Sequence, residues 1–271
     1  TSHTHQPCHP PSTPYPYCSP YNPPCNPQPL PNPLQITGVG NASGGHVPKN
    51  GVTALCAYSG SPKLLTGGAD GKVRVWALSK GQRTMLASMQ EHRGAISGLS
   101  IKNNDTEAIS ASADGSCIVW ALEGAMAVAY VRIGALYAAT CFKSAIYFPD
   151  ESQLLTCGTD RKITYWDACD LERAIRVVDG SDEAAEVNTL DMSPDGHFFV
   201  SGGADRKVML WNYDEGSRYY EGEVHSGSVT RARIAPDQRT IVSVGTEGGV
   251  CIWSVPENKG PLNPLEAGPA A

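Results

Sequence analysis

The sequence predicts an all-β fold built from five similar repeats, and three columns of residues lead to this prediction. All five tryptophans of the chain end a repeat, at spacings of 44, 46, 45 and 42 residues. An acidic residue lies six positions before each tryptophan, and a Ser or Thr lies ten positions before it. A period in the low to mid forties, with short apolar alternations between Gly, Asp and Pro turns, is typical of a propeller blade of four antiparallel strands. The hydroxyl, acid and tryptophan of the five repeats are Thr66, Asp70 and Trp76; Ser110, Asp114 and Trp120; Thr156, Asp160 and Trp166; Ser201, Asp205 and Trp211; and Ser243, Glu247 and Trp253.

Repeat two shows how the pattern specifies strands. Ile96–Ile101 is the predicted inner strand, Glu107–Ser112 the second and Ser116–Ala121 the third. An Asp114-Gly115 turn joins the last two strands. Asp-Gly between alternating strands is a strong hairpin signal, because glycine accepts positive φ and aspartate hydrogen-bonds its own backbone nearby. The turn therefore predicts the register of this hairpin.

The two ends of the chain differ in composition from the repeats. Residues 1–48 contain no Asp, Glu, Lys or Arg, and 12 of the first 34 residues are proline. Proline at this density favours extended polyproline II and cannot form a ladder of backbone hydrogen bonds. We expect a disordered or extended arm over residues 1–48, propeller blades over residues 49–255 and a flexible tail over residues 256–271.

Composition and charge exclude several classes of function. The net charge of −6 argues against a nucleic-acid binder, whose domain would usually be basic. The chain has no run of eighteen apolar residues and no signal-peptide pattern at its start, so we expect a soluble, intracellular protein that spans no membrane. Five of the nine cysteines lie in apolar strand-like runs and are predicted to be small buried hydrophobic residues. They are Cys56, Cys117, Cys141, Cys157 and Cys251.

Motifs for catalysis, cofactors or metals are missing from the sequence. It contains no P-loop, no dinucleotide fingerprint, no H-E-x-x-H pattern and no pair of cysteines at zinc-finger spacing. We therefore expect no cofactor, no metal and no small-molecule substrate. The function is predicted to depend on surfaces that bind other proteins.

The repeat region resembles the WD40-repeat β-propellers, which pair a Gly-His near the start of a repeat with a Trp-Asp at its end. Here only Trp166-Asp167 keeps the full dipeptide. His92 and His225 each lie 28 residues before a tryptophan and are followed by the pattern x-G-x-[IV]. Pro48 and Glu183 stand at the matching positions of repeats one and four, and repeat three has no histidine in that region. Three blades are therefore expected to lack the complete polar tetrad of the family.

The resemblance implies a buried polar network in the other two blades. In the family the histidine bridges the turn acid and the strand hydroxyl, and the hydroxyl meets the tryptophan N–H, so that each buried polar group has a partner. A Ser-His-Asp set could suggest a catalytic triad, but here it recurs at structural spacing and the G-x-S-x-G elbow is absent. We therefore expect a structural role and no enzyme activity. The implied networks are His92, Ser110, Asp114 and Trp120, and His225, Ser243, Glu247 and Trp253.

The closure of the ring has two interpretations, since the family commonly has seven blades. The last predicted strand ends near Ser254, and the residues after it are too rich in Pro and Gly for another. Leu34–Val39, before Val52, is the one candidate for the missing strand, and with it a closed five-bladed ring is possible. We favour a partial arc of a larger, seven-bladed ring, which would expose apolar blade faces.

The turns that carry the repeat acids crowd together at one end of this fold, so the two residues after each acid are expected to line that end. These positions hold cations and no anion, and Arg93, just after His92, joins them. An acidic chain with a basic face suits an acidic protein partner. A solvated polar rim is the alternative interpretation. The candidate partner face consists of Lys72, Arg93, Arg161, Lys162, Arg206 and Lys207.

Three segments are similar to a branch of the family associated with cilia and flagella: EHRGAISGLSIKNNDTEAISASADGSCIVW, LLTCGTDRKITYW and VHSGSVTRARIAPDQRTIVSV. This resemblance implies a protein held inside axonemal doublet microtubules, where it contacts tubulin and other inner proteins without catalysis. The alternative is a soluble adaptor for signalling or ubiquitin-ligase assembly. The W-D-x-R signature of many such adaptors is missing, because Trp166-Asp167 is followed by Ala168 and Cys169.

Overall fold

The structure, a computed structural model, describes residues 51–79, 82–122, 131–181 and 183–256. All regular elements in these ranges are β-strands, and so no helix there could cross a membrane. The expected arm over residues 1–48, the candidate strand Leu34–Val39 and almost all of the expected tail lie outside the described residues. The prediction of an all-β fold is confirmed.

The strands of the described ranges form five antiparallel sheets, which follow one another along the chain and are called blades 1 to 5. Blades 1 to 4 have four strands each, and blade 5 has three within the described ranges, the last of which ends at Ser254 as the sequence predicts. The strands are β1 (Val52–Ala57), β2 (Lys63–Gly68), β3 (Lys72–Ser79) and β4 (Gln82–Gln90); β5 (Ile96–Ile101), β6 (Glu107–Ser112), β7 (Ser116–Ala121) and β8 (Val131–Tyr137); β9 (Phe142–Tyr147), β10 (Gln153–Gly158), β11 (Lys162–Asp167) and β12 (Ala174–Asp179); β13 (Val187–Met192), β14 (Phe198–Gly203), β15 (Lys207–Asn212) and β16 (Arg218–Glu223); and β17 (Val229–Ile234), β18 (Thr240–Gly245) and β19 (Val250–Ser254).

Blade 2 reproduces the strands and the turn that its sequence predicts. The bounds of β5, β6 and β7 coincide with the three predicted strands. In the turn between β6 and β7, Gly115 adopts a φ of +85° and the Ser116 N–H donates to Asp114 Oδ1 at 3.0 Å. The aspartate therefore closes the turn on its own backbone while glycine supplies the left-handed conformation.

The core lies between consecutive blades. Inner strands pack in chain order, β1 on β5, β5 on β9, β9 on β13 and β13 on β17. Between blades 3 and 4, for example, the buried side chains of Leu155, Ile163 and Tyr165 pack with Phe199 and Trp211. We call the side of a blade that meets the following blade its trailing face, and the side that meets the preceding blade its leading face. The tryptophans of blades 2 to 5 lie on the leading face, where they pack with residues of the preceding blade.

The cysteines show one departure from the sequence prediction. Cys117 and Cys157 are buried, and burial raises the pKa of both thiols. Cys56 and Cys251 are half-buried, but Cys141 is exposed. The prediction is wrong for Cys141 because β9 begins one residue later, at Phe142, so that this cysteine lies in the loop that precedes the strand.

Leu155→Ala should test the core between blades 3 and 4. The side chain is fully buried, so its truncation leaves a cavity and should lower the free energy of unfolding by about 2–5 kcal/mol. Val177→Ala, on the exposed side of β12 in the same blade, is the matched control and should change it by less than about 1 kcal/mol. Urea unfolding monitored by tryptophan fluorescence measures both. Equal effects would contradict the placement of the core between blades.

Candidate functional site

The polar network of blade 2 brings together the four residues that the sequence singles out. His92 Nε2 lies 2.7 Å from Ser110 Oγ, and Trp120 Nε1 donates to the same oxygen at 2.8 Å. On the other side of the ring, Nδ1 lies 3.3 Å from Asp114 Oδ2 and 2.9 Å from Ser116 Oγ. The hydroxyl of Ser110 therefore joins the histidine to the tryptophan, and the histidine joins this pair to the turn.

Ser116 is a member of this network that the sequence analysis missed. Its hydroxyl donates to Asp114 Oδ1 at 2.6 Å while also contacting His92. The signal was present in the sequence: this position, four residues before the tryptophan, holds Lys in repeats one, three and four and Gly in repeat five. Ser116 is thus the one residue with a hydroxyl at this position of the five repeats.

The carboxylate of Asp114 is the acceptor at the centre of the turn. Besides Ser116, it accepts the Arg93 N–H at 2.7 Å. Burial raises the pKa of the carboxyl, but the hydrogen bonds from Ser116 and Arg93 and the neighbouring His92 outweigh burial and lower the pKa to about 2. Hydrogen bonds to the ionised form favour that form. The turn is thus held most firmly when Asp114 is ionised.

Blade 5 contains the second complete network, with glutamate in place of aspartate. His225 Nε2 lies 2.7 Å from Ser243 Oγ, and Trp253 Nε1 donates to that oxygen at 2.8 Å. His225 Nδ1 hydrogen-bonds Glu247, and this contact lowers the pKa of the glutamate. Trp253 is only half-buried, whereas Trp120 is buried. The same hydrogen bonds therefore form in blade 5 although its indole ring is more exposed.

The tryptophan and hydroxyl also pair in the three blades that lack the histidine. Each indole Nε1 donates to the hydroxyl ten residues earlier, at 2.8 to 2.9 Å. The histidine is therefore not needed for this bond. The pairs are Trp76 with Thr66, Trp166 with Thr156 and Trp211 with Ser201.

In blade 1 an arginine, which the sequence analysis missed, holds the turn acid. Arg74 is buried, and its Nη2 and Nη1 donate to the two oxygens of Asp70 at 2.6 and 3.2 Å. These bonds lower the pKa of Asp70. The signal was a charged residue two positions before the tryptophan, where repeats two and four have Ile118 and Met209. A bidentate guanidinium–carboxylate pair replaces the histidine contact.

Blades 3 and 4 replace the histidine with hydroxyl groups. In blade 4, Ser181 Oγ donates to Asp205 Oδ2 at 2.8 Å. Glu183, the residue that stands at the matching sequence position, instead forms an ion pair outside this network. In blade 3, Thr140 Oγ1 accepts the Asp160 N–H at 3.1 Å. Each turn that lacks a histidine is therefore held by another polar side chain.

The burial of these networks limits their chemistry. Ser110 and Ser243 are both fully buried, and each hydroxyl already contacts a histidine and an indole N–H. No substrate can reach either oxygen in this fold, although a nucleophile must contact one. Within the described ranges, no group of three or more His, Cys, Asp or Glu residues has a geometry that could hold a metal ion. The arrangement stabilises blades.

The candidate partner face has a backbone feature that its sequence did not reveal. The position five residues before each tryptophan adopts positive φ in all five blades. It is glycine in blades 1, 2 and 5, but blades 3 and 4 have Arg161 and Arg206, both at φ +69°. A residue other than glycine in this region costs on the order of 1 kcal/mol. Both arginine side chains are exposed.

Acidic side chains outside the candidate positions pair with the cations of this face at blade 4. Lys207 Nζ lies 2.7 Å from Glu221 and 3.3 Å from Glu183, and these contacts raise its pKa. Arg206 lies 3.6 Å from Glu223. The acids come from the outer strand β16 and from the loop before β13, which the sequence analysis did not consider. Among the described residues, no carboxylate forms an ion pair with the four other cations of the face, Lys72, Arg93, Arg161 and Lys162.

Comparison with protein families identifies the repeats. A model described as "WD domain, G-beta repeat" matches residues 41–77, 83–121, 173–212 and 216–254. This chain belongs to the WD40 repeat family. Blade 3 lies between two of the matched ranges and has the same four strands and the same tryptophan–hydroxyl bond. The WD40 resemblance predicted from the sequence is thereby confirmed.

Several curated relatives of this WD40 chain share a name. It is 49% identical to Cilia- and flagella-associated protein 52 of Chlamydomonas reinhardtii over 161 residues, which is 59% of this chain and 25% of that protein. It is 39% identical to the protein of that name in Sus scrofa over 184 residues, and 38% identical to that in Homo sapiens. Those alignments cover 68% of this chain and 28% of each relative. The alignments thus span about a quarter of the length of the relatives.

Ser110→Ala should destabilise the fold more than Ser201→Ala does. The first change removes the hydroxyl that contacts both His92 Nε2 and Trp120 Nε1, whereas the second removes only the acceptor of Trp211 Nε1. A buried polar group left without a partner costs about 1–3 kcal/mol, so the two losses should differ by about that amount. Ser88→Ala, on the exposed side of β4, is the control. Chemical unfolding measures all three, and equal losses for the two buried serines would contradict the role of the histidine.

Acid should weaken blade 2 through Asp114. Its folded pKa of about 2 lies below the ordinary value of 3.8, so its contribution is fully present above about pH 4 and is lost as the pH falls through about 2. Because the group is partly exposed, solvent screening limits this contribution to the order of 1 kcal/mol. Unfolding free energies from pH 6 down to pH 2 should fall less steeply for Asp114→Asn than for the wild type. Parallel pH profiles would refute the assignment.

Proposed function

We propose that this WD40 chain is a non-catalytic interaction scaffold of cilia and flagella. The observation that carries this proposal is its 49% identity over 161 residues to a cilia- and flagella-associated protein. Relatives with the same name in mammals support it. The scaffold role agrees with a fold in which the two Ser-His-acid sets are buried and stabilise their own blades.

More specifically, we infer that the chain is a structural component inside axonemal doublet microtubules. This inference follows from the resemblance of its blades to a ciliary branch of the family and from the basic side chains at one end of the fold. Tubulin and other inner proteins of the doublet are the proposed partners. These partners are proposed for this chain, since its alignments cover only about a quarter of each relative.

The part of the face best suited to an acidic partner lies on blades 1 to 3. Lys72, Arg93, Arg161 and Lys162 remain without a carboxylate ion-pair partner among the described residues, while the cations of blade 4 are paired. Arg161 also keeps its exposed side chain at a left-handed position where glycine would be less strained. A side chain retained at a conformational cost is best explained by a contact that uses it.

Reversing charges on the candidate partner face, and separately at the opposite end of the blades, tests which surface binds the partner. Arg161→Glu with Lys162→Glu should reduce the fraction of a tagged chain that stays with axonemes after detergent and salt extraction of ciliated cells. The reason is that like charges would then face an acidic partner. Arg173→Glu with Arg239→Glu is the control, because both residues are exposed in loops at the other end of the blades. The control should be retained like the wild type.

Each result has a distinct meaning. Equal retention of both double variants would contradict the use of the candidate partner face but leave the ciliary scaffold intact. A wild-type chain that is fully extracted, or absent from cilia, would contradict the ciliary function itself. The soluble adaptor would then be the better description.

A further inference from the structure

The inner strands of the five blades surround a central cavity of about 290 Å³. In every blade the position 22 residues before the tryptophan lies in the wall of this cavity. Blades 1 to 4 have a small residue at this position, whereas blade 5 has an arginine. The five residues, in chain order, are Ala54, Gly98, Ser144, Thr189 and Arg231. Blade 5 therefore places a long cationic side chain where the other blades leave space.

Arg231 extends across the cavity and is held there by backbone carbonyls. Its Nη2 donates to Ser97 O of blade 2 at 2.9 Å. Its Nη1 donates to Thr230 O at 3.2 Å and to Asn188 O at 3.5 Å. A guanidinium has five N–H donors, so the Nε N–H and the second N–H of Nη2 have no acceptor among the described residues. These two donors are available to a ligand.

The charge of Arg231 is not balanced by a carboxylate in the described part of the chain. Arg233, the other cation in the cavity wall, donates to Asp191 Oδ1 at 2.6 Å. No Asp or Glu of the described residues forms an ion pair with Arg231. Residues 1–50, which precede β1, cannot supply one, because they contain neither Asp nor Glu. The cavity wall therefore carries an excess positive charge.

Partial burial makes this unbalanced charge unfavourable. Arg231 is half-buried, and burial together with the neighbouring Arg233 lowers the pKa of Arg231. A guanidinium nevertheless stays protonated at neutral pH. A charge that is removed from water is stabilised when an opposite charge and hydrogen bonds accompany it. Arg231 has the hydrogen bonds, and an anion would supply the opposite charge.

Two hydroxyl groups in the cavity wall offer further donors. The Ser144 hydroxyl lines the cavity and makes no hydrogen bond with the described residues. Thr189 Oγ1 accepts the Ala232 N–H at 3.4 Å, so its own O–H can still donate. Hydroxyl and guanidinium donors together are suited to the oxygen atoms of an anion.

We propose that the central cavity binds a small oxoanion, a carboxylate or phosphate group, through the guanidinium of Arg231 and the hydroxyl of Ser144. The planar guanidinium matches the geometry of both groups. The cavity is at the small end of the range for ligand pockets, which favours a small group over a large cofactor. None of the residues of the candidate partner face lines this cavity, and the site does not depend on the proposed ciliary role.

Isothermal titration calorimetry of the full-length chain tests this proposal. Inorganic phosphate and acetate are titrated separately, with the ionic strength held constant by sodium chloride. At least one of the two anions should bind saturably, with one site per chain. Tighter binding of phosphate would identify a phosphate group as the ligand, and tighter binding of acetate would identify a carboxylate. A wild-type chain that binds neither anion saturably would overturn the proposal.

Arg231→Gln should weaken binding of the anion by about tenfold or more, because charged hydrogen bonds are lost. Arg239→Gln is the control, since it removes the same charge from an exposed loop residue and should bind like the wild type. Ser144→Ala should weaken binding by a smaller factor, and it is the test to use if circular dichroism shows that Arg231→Gln is unfolded. Unchanged affinity in either cavity variant would contradict the assigned ligands, and Arg231 would then serve to join blade 5 to blade 2.

Discussion

The hydrogen bond from each tryptophan indole to a hydroxyl ten residues earlier is the interaction on which the fold depends. It joins the third strand of a blade to the second at 2.8 to 2.9 Å in all five blades. In blades 2 to 5 it also satisfies the indole N–H of a large ring that packs against the preceding blade. One bond thus links the register within a blade to the packing between blades.

The second constraint is that the acid of each turn needs a polar partner, and side chains of several types can provide one. A carboxylate beside a buried histidine, a buried arginine or a serine hydroxyl serves the same purpose in blades 2, 1 and 4. What these solutions share is a polar partner that ties the turn to the rest of its blade. The histidine of the family motif is therefore one way to hold this turn, and the loss of the motif does not mean the loss of a blade.

Local spacing explains what could be predicted from the sequence. The strands of blade 2 and the contacts of His92 with Ser110 lie within one repeat, where a fixed period relates the residues. Contacts made by side chains at other positions than the repeated hydroxyl, acid, tryptophan and histidine were not predicted. The contacts of Arg74 and Ser116 depend on how the side chains are arranged in three dimensions around the turn. Glu221, beside Lys207, belongs to an outer strand that has no repeated residue to identify it. The positive φ of Arg161 and Arg206 was not predicted for another reason. Glycine at the same position of the other three repeats is compatible with positive φ but does not require it.

The packing between neighbouring blades also affects how stability is distributed along the chain. Blades 2 to 4 are packed on both sides, whereas blades 1 and 5 each have one neighbouring blade within the described ranges. In an array of repeats, stability is approximately a sum of intrinsic and nearest-neighbour terms. Blade 5, with three described strands and a half-buried Trp253, has the fewest such terms. Among the described blades we therefore expect blade 5 to open most easily and the amide protons of the central blades to exchange last.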